Sequence, residues 1–438
     1  MAVIAKSAAT IAQLHGSDLL LRPHHTLSVF HPRIWPSALC GNVSKERRGS
    51  NWLSKPRGSV LNEHLRQTSL LTVHAVLDTR TELDIVSTYS EIVPDTIIFD
   101  DYERYPPTAA TVSSSLLLGI TSLPKTGFNS AFENALAYGK CYDERTDAAR
   151  LSCFLTKALV NVGAELSKRV PGRVSTEIDA RLAYDVEGII SKVFQLRNLY
   201  NESGISADRV LFKIPATWQG IEAARQLEAE GIQTHLTLVY SFSQVSAAAQ
   251  AGVSVIQLFV GRVREWAQNN TGDKEIEELC KKGVDPGVHL VQKAYNYIHK
   301  YGYKTKLIAA AIRNKNDILS LVGLDYLVVP VKILDSLRES NVLLENEDIP
   351  RLQLTPHAAQ AANFSDDQLK RWDESRFTAA LGPLAKELLA SGLEGYVSQT
   401  RRVEEHIAKR WFASRSTRHC SKLRSFDIRC YHGAQSII

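Results

Sequence analysis

Between Val174 and Val331, short apolar runs alternate with segments of helical period, and this alternation constrains the fold more than any other feature of the chain. The runs are Val174–Asp179, Val210–Ala216, Thr234–Tyr240, Ser254–Val260, Lys306–Ile312 and Tyr326–Val331. Val210–Ala216, Lys306–Ile312 and Tyr326–Val331 are apolar almost throughout instead of every second residue, the pattern of parallel strands buried on both faces. Helices are expected between them over Val186–Tyr200, Gln219–Ala229, Gln244–Ala251, Val288–His299 and Asn314–Leu321. Gly231 and Gly252 close two of these helices, and a polar loop fills Asn269–Gly287.

Two upstream strands complete the count. Leu71–Asp78 is a β-rich run ending in an acid, followed by an amphipathic stretch around Leu83–Ile92. Thr96–Phe99 and Ala109–Ser113 are alternatives for the second strand, separated by the turn-prone Tyr105-Pro-Pro-Thr108. Eight β/α repeats over about 260 residues predict an α/β chain folded as a TIM (β/α)8 barrel. An open doubly wound sheet is the runner-up, but no GxGxxG follows the first strand. Extra helices are expected over Asn129–Leu166, interrupted near Cys141–Arg145, and over Glu394–Trp411. Another is expected from Asp366, where Ser365 and Gln368 form a capping box and Phe364 and Leu369 a hydrophobic staple.

The ends of the 438-residue chain differ from its middle. Residues 1–60 carry eight Lys/Arg against Asp18 and Glu46, are rich in serine, and are broken by Pro23, Pro32, Pro36 and Pro56. This is the composition of an organelle transit peptide, read here as directing the protein to the plastid (chloroplast) stroma, with mitochondrion or cytoplasm as alternatives. Residues 61–411 form the barrel with its terminal helices, and 412–438 a basic tail expected to be disordered. The net charge of +5 comes from the two ends, leaving a mildly acidic body that argues against a nucleic-acid surface on the fold. No run of about 18 apolar residues predicts a membrane span. The six cysteines show neither CxxC pairs nor metal-ligand spacing with histidine, so no zinc site and no disulfide framework is expected, and a reduced compartment is the simplest reading.

Lys213 stands inside the apolar run Val210-Leu-Phe-Lys-Ile-Pro215. A strand lysine can be structural, paired with a carboxylate or snorkelling its head outward. Desolvation can also lower its pKa and make it a Schiff-base nucleophile. Polar residues recur at the other strand ends: Asp78, Glu177, Asp179, Thr237, Arg262 and Arg313. Each has an ordinary explanation alone, as helix cap, ion pair or loop charge. Around one mouth they supply an amine, carboxylates, a hydroxyl and two guanidiniums, an inventory suited to imine formation on a keto-sugar phosphate.

At these residues the chain resembles the transaldolases, class I Schiff-base aldolases with a barrel fold. The matching segments are Val170–Asp185, Lys213 with Thr217-Trp-Gln-Gly-Ile221, Glu230–Leu238, Ser241-Phe242, Phe259-Val-Gly-Arg262, Asp285-Pro-Gly287 and Ile312-Arg-Asn314. The resemblance implies that Lys213 forms the Schiff base, that Glu177 with Thr237 holds the water of imine formation, and that Asp78 in Val76-Leu-Asp-Thr79 is the acid/base for bond cleavage. It implies that Arg262 and Arg313 bind phosphate and that Phe259 lies beside the centre. No metal or organic cofactor is implied; the partners are sugar phosphates, with no nucleic acid or membrane, and a homodimer is left open.

The chain departs from the family at substrate positions. Val112-Ser-Ser-Ser115 replaces the usual Thr-Asn-Pro-Ser, with Ser113 at the asparagine. Gln257-Leu258 replaces Ser-Pro, and Ala311 stands where serine is common. The expected activity is transfer of a dihydroxyacetone unit from sedoheptulose 7-phosphate to glyceraldehyde 3-phosphate in the pentose phosphate pathway. An aldolase of altered keto-sugar-phosphate specificity, or a low-activity regulatory sugar-phosphate binder, are the alternatives.

Overall fold

The computed structural model describes residues 79–122, 128–343 and 351–431. The transit-peptide reading of residues 1–60, the run Leu71–Asp78 and the last residues of the tail lie outside them. Eight parallel strands form one sheet: β1 (Glu91–Asp95), β2 (Ala110–Val112), β3 (Val174–Glu177), β4 (Val210–Pro215), β5 (Thr234–Val239), β6 (Val255–Phe259), β7 (Lys306–Ala310) and β8 (Tyr326–Pro330). Their hydrogen-bonded order is β1-β8-β7-β6-β5-β4-β3-β2, a nearly closed barrel whose ladder ends are β1 and β2. Helices cover the outside, and the side chains turned towards them, among them Phe212, Ile214, Leu236, Ile256 and Leu258, are almost wholly buried. A separate strand, Thr79–Thr81, pairs antiparallel with Asn341–Leu343.

The first strand of the barrel is Glu91–Asp95 and not Leu71–Asp78. Its glutamate, proline and aspartate disguise it, yet a strand hydrogen-bonded on one side only tolerates Pro94. Helix Glu82–Tyr89 leads into it, opened by Thr81, whose hydroxyl and backbone form a reciprocal capping box with Asp84. Of the two alternatives for the second strand, Ala110–Val112 is the strand, whereas Phe99 opens a short helix to Arg104. The polar loop after β6 contains a helix, Lys274–Lys281, capped by Asp273. The capping box at Ser365 forms, but Phe364 stacks on Phe242 and Leu369 remains exposed.

Two differences concern the C-terminal helix and the cysteines. The C-terminal helix begins at Gly382, not Glu394, and runs past Trp411 to Tyr431. Cys141 and Cys153 form a disulfide, contrary to the expectation from spacing. The cysteines sit in a 3-10 turn, Gly139–Asp143, and in the long helix Asp147–Ser167 that packs beside it, so the turn folds one thiol back onto the helix.

The register between β5 and β6 shifts between Leu236 and Val239, and Leu238 adopts the left-handed conformation at φ 60°. A buried leucine there costs about 1–3 kcal/mol and has to be held by its surroundings. Gln244 holds it: its amide nitrogen donates to the carbonyls of Leu238 and Ala216, and its amide oxygen accepts from the N–H groups of Tyr240 and Ser241. The bulge fixes the end of β5, where Thr237 stands.

Candidate active site

Lys213 lies on β4 with Glu177 of β3 and His235 of β5 as its register neighbours, so three polar side chains face one another across the inside of the barrel. Each of the three is at least nine-tenths buried. Lys213 forms no salt bridge among the described residues; its ammonium nitrogen lies 5.8 Å from the centre of the Tyr396 ring. Burial holds its pKa below the usual lysine value, while Glu177 and then Asp95 pull it upwards. A lysine with this balance reaches its neutral, nucleophilic form more easily than a surface lysine.

Glu177 is bound through one oxygen. Oε1 accepts from the backbone N–H of Ser114 at 3.2 Å and from its hydroxyl at 2.5 Å, while Oε2 has no hydrogen-bond partner. Burial raises its pKa, opposed first by Lys213 and then by the Ser114 bonds. Thr237 is fully buried; the Tyr396 hydroxyl stands close to it, but Thr237 Oγ1 has no partner of good geometry.

Asp95, at the end of β1, is in contact with the water of the mouth yet ringed by protein. That crowding raises its pKa, and the charges of Lys213 and Arg313 lower it. Because its surface is wet, these opposing effects act in a crowded cleft and not in a dry interior. Asp95, not Asp78, is therefore the carboxylate that ends the first barrel strand; Asp78 lies outside the described residues. The two occupy similar settings in sequence, Val76-Leu-Asp-Thr79 and Val93-Pro-Asp-Thr96, and the shorter separation of Asp95 from the Ser113 segment is the signal that distinguishes them.

The two arginines flank the mouth. Arg262, in the first turn of helix Val260–Asn269, is exposed and has no ion pair among the described residues. Arg313 donates through Nε to Glu265 at 2.7 Å and is close enough to Asp95 to lower its pKa. Gly261 makes room for Arg313: a Cβ there would lie 2.8 Å from its Cγ and 2.4 Å from the carbonyl oxygen of Ala311. Phe259 packs on Tyr240 with ring centres 5.6 Å apart. Ser113 accepts from the N–H of Leu116 and so caps the helix after β2. Asp179 pairs with Arg181 as a structural ion pair.

His235 was not distinguished by sequence. Its Nδ1 lies 2.7 Å from the Ser175 hydroxyl, and its Nε2 has no partner. Burial and then the Lys213 charge hold its pKa well below the usual value, with the neighbouring Gln257 amide opposing them. Tyr396 comes from the C-terminal helix, which crosses the mouth. Gly392 of that helix sits against Leu238 and Tyr240, and Glu404 pairs with Arg181 after β3.

The profile of the family described as transaldolase/fructose-6-phosphate aldolase matches residues 95–407. The chain belongs to that family. The match begins at Asp95 and contains every other group described in the mouth. Similar proteins include the transaldolase of Homo sapiens, 37% identical over 334 residues, or 75% of this chain and 94% of that protein. That of Sus scrofa is 36% identical over 339 residues, covering 76% and 95%. The transaldolase of Actinobacillus succinogenes is 37% identical over 330 residues, covering 75% and 98%. No group of three or more His, Cys, Asp or Glu among the described residues is arranged to hold a metal ion. No described helix is long and apolar enough to cross a membrane.

Proposed function

We propose that this chain is a transaldolase of the pentose phosphate pathway, working through a Schiff base on Lys213. The observation that carries the reading is a buried lysine with no salt bridge, electrostatically coupled to two carboxylates at the strand ends of a family-matched barrel. The neutral amine of Lys213 adds to the ketose carbonyl of sedoheptulose 7-phosphate. Loss of the carbonyl oxygen as water gives a protonated imine. Glu177 Oε2 and Thr237 Oγ1, both buried without partners, are the groups that hold this water.

Asp95 then takes the proton from the hydroxyl beside the scissile bond. The carbon–carbon bond breaks with its electrons drawn into the imine, and erythrose 4-phosphate leaves. Glyceraldehyde 3-phosphate accepts the retained three-carbon unit, and hydrolysis releases fructose 6-phosphate. Arg262 and Arg313 pair with the substrate phosphates. Phe259 and the Tyr240 ring it packs on form an apolar wall of the site.

The test is borohydride trapping. Protein incubated with fructose 6-phosphate and reduced is expected to carry a dihydroxyacetone adduct on Lys213 by mass spectrometry. Erythrose 4-phosphate added before the borohydride should prevent the adduct and yield sedoheptulose 7-phosphate. Absence of an adduct with either ketose phosphate would overturn the reading. The long amide of Gln257, buried beside His235, favours a narrower choice of ketose than the usual serine there, which a panel of keto-sugar phosphates would reveal.

The basic, acid-poor composition of residues 1–60 supports a plastid destination. An intact Met1 on protein purified from plastids would contradict that.

A further inference from the structure

A cavity of about 560 Å³ opens on the outer wall of the barrel, bounded by helices Asp147–Ser167 and Val186–Glu202 and by Glu404 of the C-terminal helix. Behind it lies a second cavity of about 20 Å³ whose wall includes Glu177. Ser152, Asp179 and Lys192 belong to both walls, so the two cavities adjoin. A single water needs roughly 10–15 Å³ and two to four polar partners, so the inner cavity suits one water. Ser114, Thr156, Thr400 and Glu177 line it together with Leu155 and Leu159, so its polar partners for a water come from these hydroxyl-bearing residues and the carboxyl. At the junction the Lys192 ammonium donates to Thr156 Oγ1 at 2.7 Å and to Gln195 Oε1 at 2.9 Å, which continues the polar lining outwards.

We propose that these two cavities form a side passage through which water reaches and leaves Glu177 without crossing the barrel mouth. The proposal rests on the Schiff-base reading above. Imine formation converts amine and ketone into imine and one water, and the ketone oxygen leaves in that water. Hydrolysis consumes one water and restores the ketone oxygen. During this cycle the sugar is covalently attached in the mouth, with the Tyr396 ring over Lys213. A buried carboxylate that must exchange water at that stage is served by an opening on its other side.

The oxygen of the ketone reports the route. Protein cycling fructose 6-phosphate in water enriched in oxygen-18 should incorporate label at the ketone carbon each time the released water escapes before hydrolysis. Ser152→Phe fills the junction, and Ser152→Leu fills it less. Both should leave the borohydride-trapped imine at the level of the unsubstituted protein, while label enters at least about fivefold more slowly per imine formed in Ser152→Phe and less slowly in Ser152→Leu. Label entering both variants at the original rate would overturn the passage, as would a crystal structure in which the inner cavity is dry. Absence of trapped imine in the unsubstituted protein would instead overturn the Schiff-base reading itself.

Discussion

Ser114 gives two hydrogen bonds to one oxygen of Glu177, from its backbone N–H and from its hydroxyl. The position is one where the family resemblance leads one to expect proline, which has no N–H to give. These bonds hold the carboxyl down against a burial that raises it. In Ser114→Ala the hydroxyl bond is lost, Glu177 binds its proton more tightly, and less carboxylate is present at a given pH. The acid limb of kcat/KM should therefore move to higher pH. On that limb, losing a bond worth about 1.5–3 kcal/mol lowers kcat/KM by about 10- to 150-fold, with convergence towards the parent at high pH. A pH–rate profile of both proteins checks this.

The acid/base assignment is open to a direct comparison. Asp95→Asn should still form the imine but not cleave it, so borohydride reduction should leave the whole six-carbon sugar phosphate on Lys213 in place of the three-carbon unit. Asp78→Asn should behave as the parent. The mass of the adduct distinguishes the two outcomes, and a three-carbon adduct in Asp95→Asn would remove Asp95 from the cleavage step.

Lys213 should lose its proton below the usual lysine value, because burial outweighs the pull of Glu177 and Asp95. The rate of imine trapping should then rise with pH to a midpoint under that of surface lysines. In Glu177→Gln the midpoint should fall further, since the largest opposing charge is gone. The stability cost of the buried ammonium is fully present below the lowered pKa and fades as pH rises to the unfolded value. Lys213→Met should accordingly stabilise the fold most at neutral and acid pH, which urea unfolding at two pH values measures.

His235 and Gln257 should act as a pair. His235→Phe keeps the ring volume but leaves the Ser175 hydroxyl without its partner and removes Nε2 from the mouth. A loss of about 1–3 kcal/mol in kcat/KM for fructose 6-phosphate is expected. Combined with Gln257→Ser, the losses should be non-additive by about 0.5–3 kcal/mol, the range for residues in one network. Strict additivity would mean that the two contact the sugar independently.

The disulfide closes a short loop onto a helix whose Phe154 packs against Trp411. A loop of this length stabilises by about 3 kcal/mol. Reducing agent should lower the urea midpoint of the parent and leave Cys153→Ser unchanged. Equal sensitivity of both proteins would place the effect elsewhere.

Strands β3 to β8 were legible in the sequence to within a residue or two at most ends, because each is a short β-prone run set off by a helical segment on either side. Strand β1 was not, since it lies at the end of the ladder and carries two acids and a proline. Lys213, Glu177 and Thr237 stood out as polar groups where burial was expected. Ser114 did not, because three successive serines offer equivalent hydroxyls and only the backbone direction selects one. Tyr396 was hidden for a different reason: a tyrosine on an amphipathic helix reads as packing until the path of that helix over the barrel is known. The cysteine pair was hidden because a turn, not a motif, brings the thiols together.

The ring beside Lys213 is supplied by the last helix among the described residues, Gly382–Tyr431. Ribosomes deliver a polypeptide from its first residue to its last, so every barrel strand is synthesised before Tyr396. A nascent or prematurely stopped chain can own the nucleophile and both carboxylates while its cleft still lacks a roof. Birth order thus becomes a safeguard: the reactive amine is enclosed only in molecules whose synthesis has passed Tyr396.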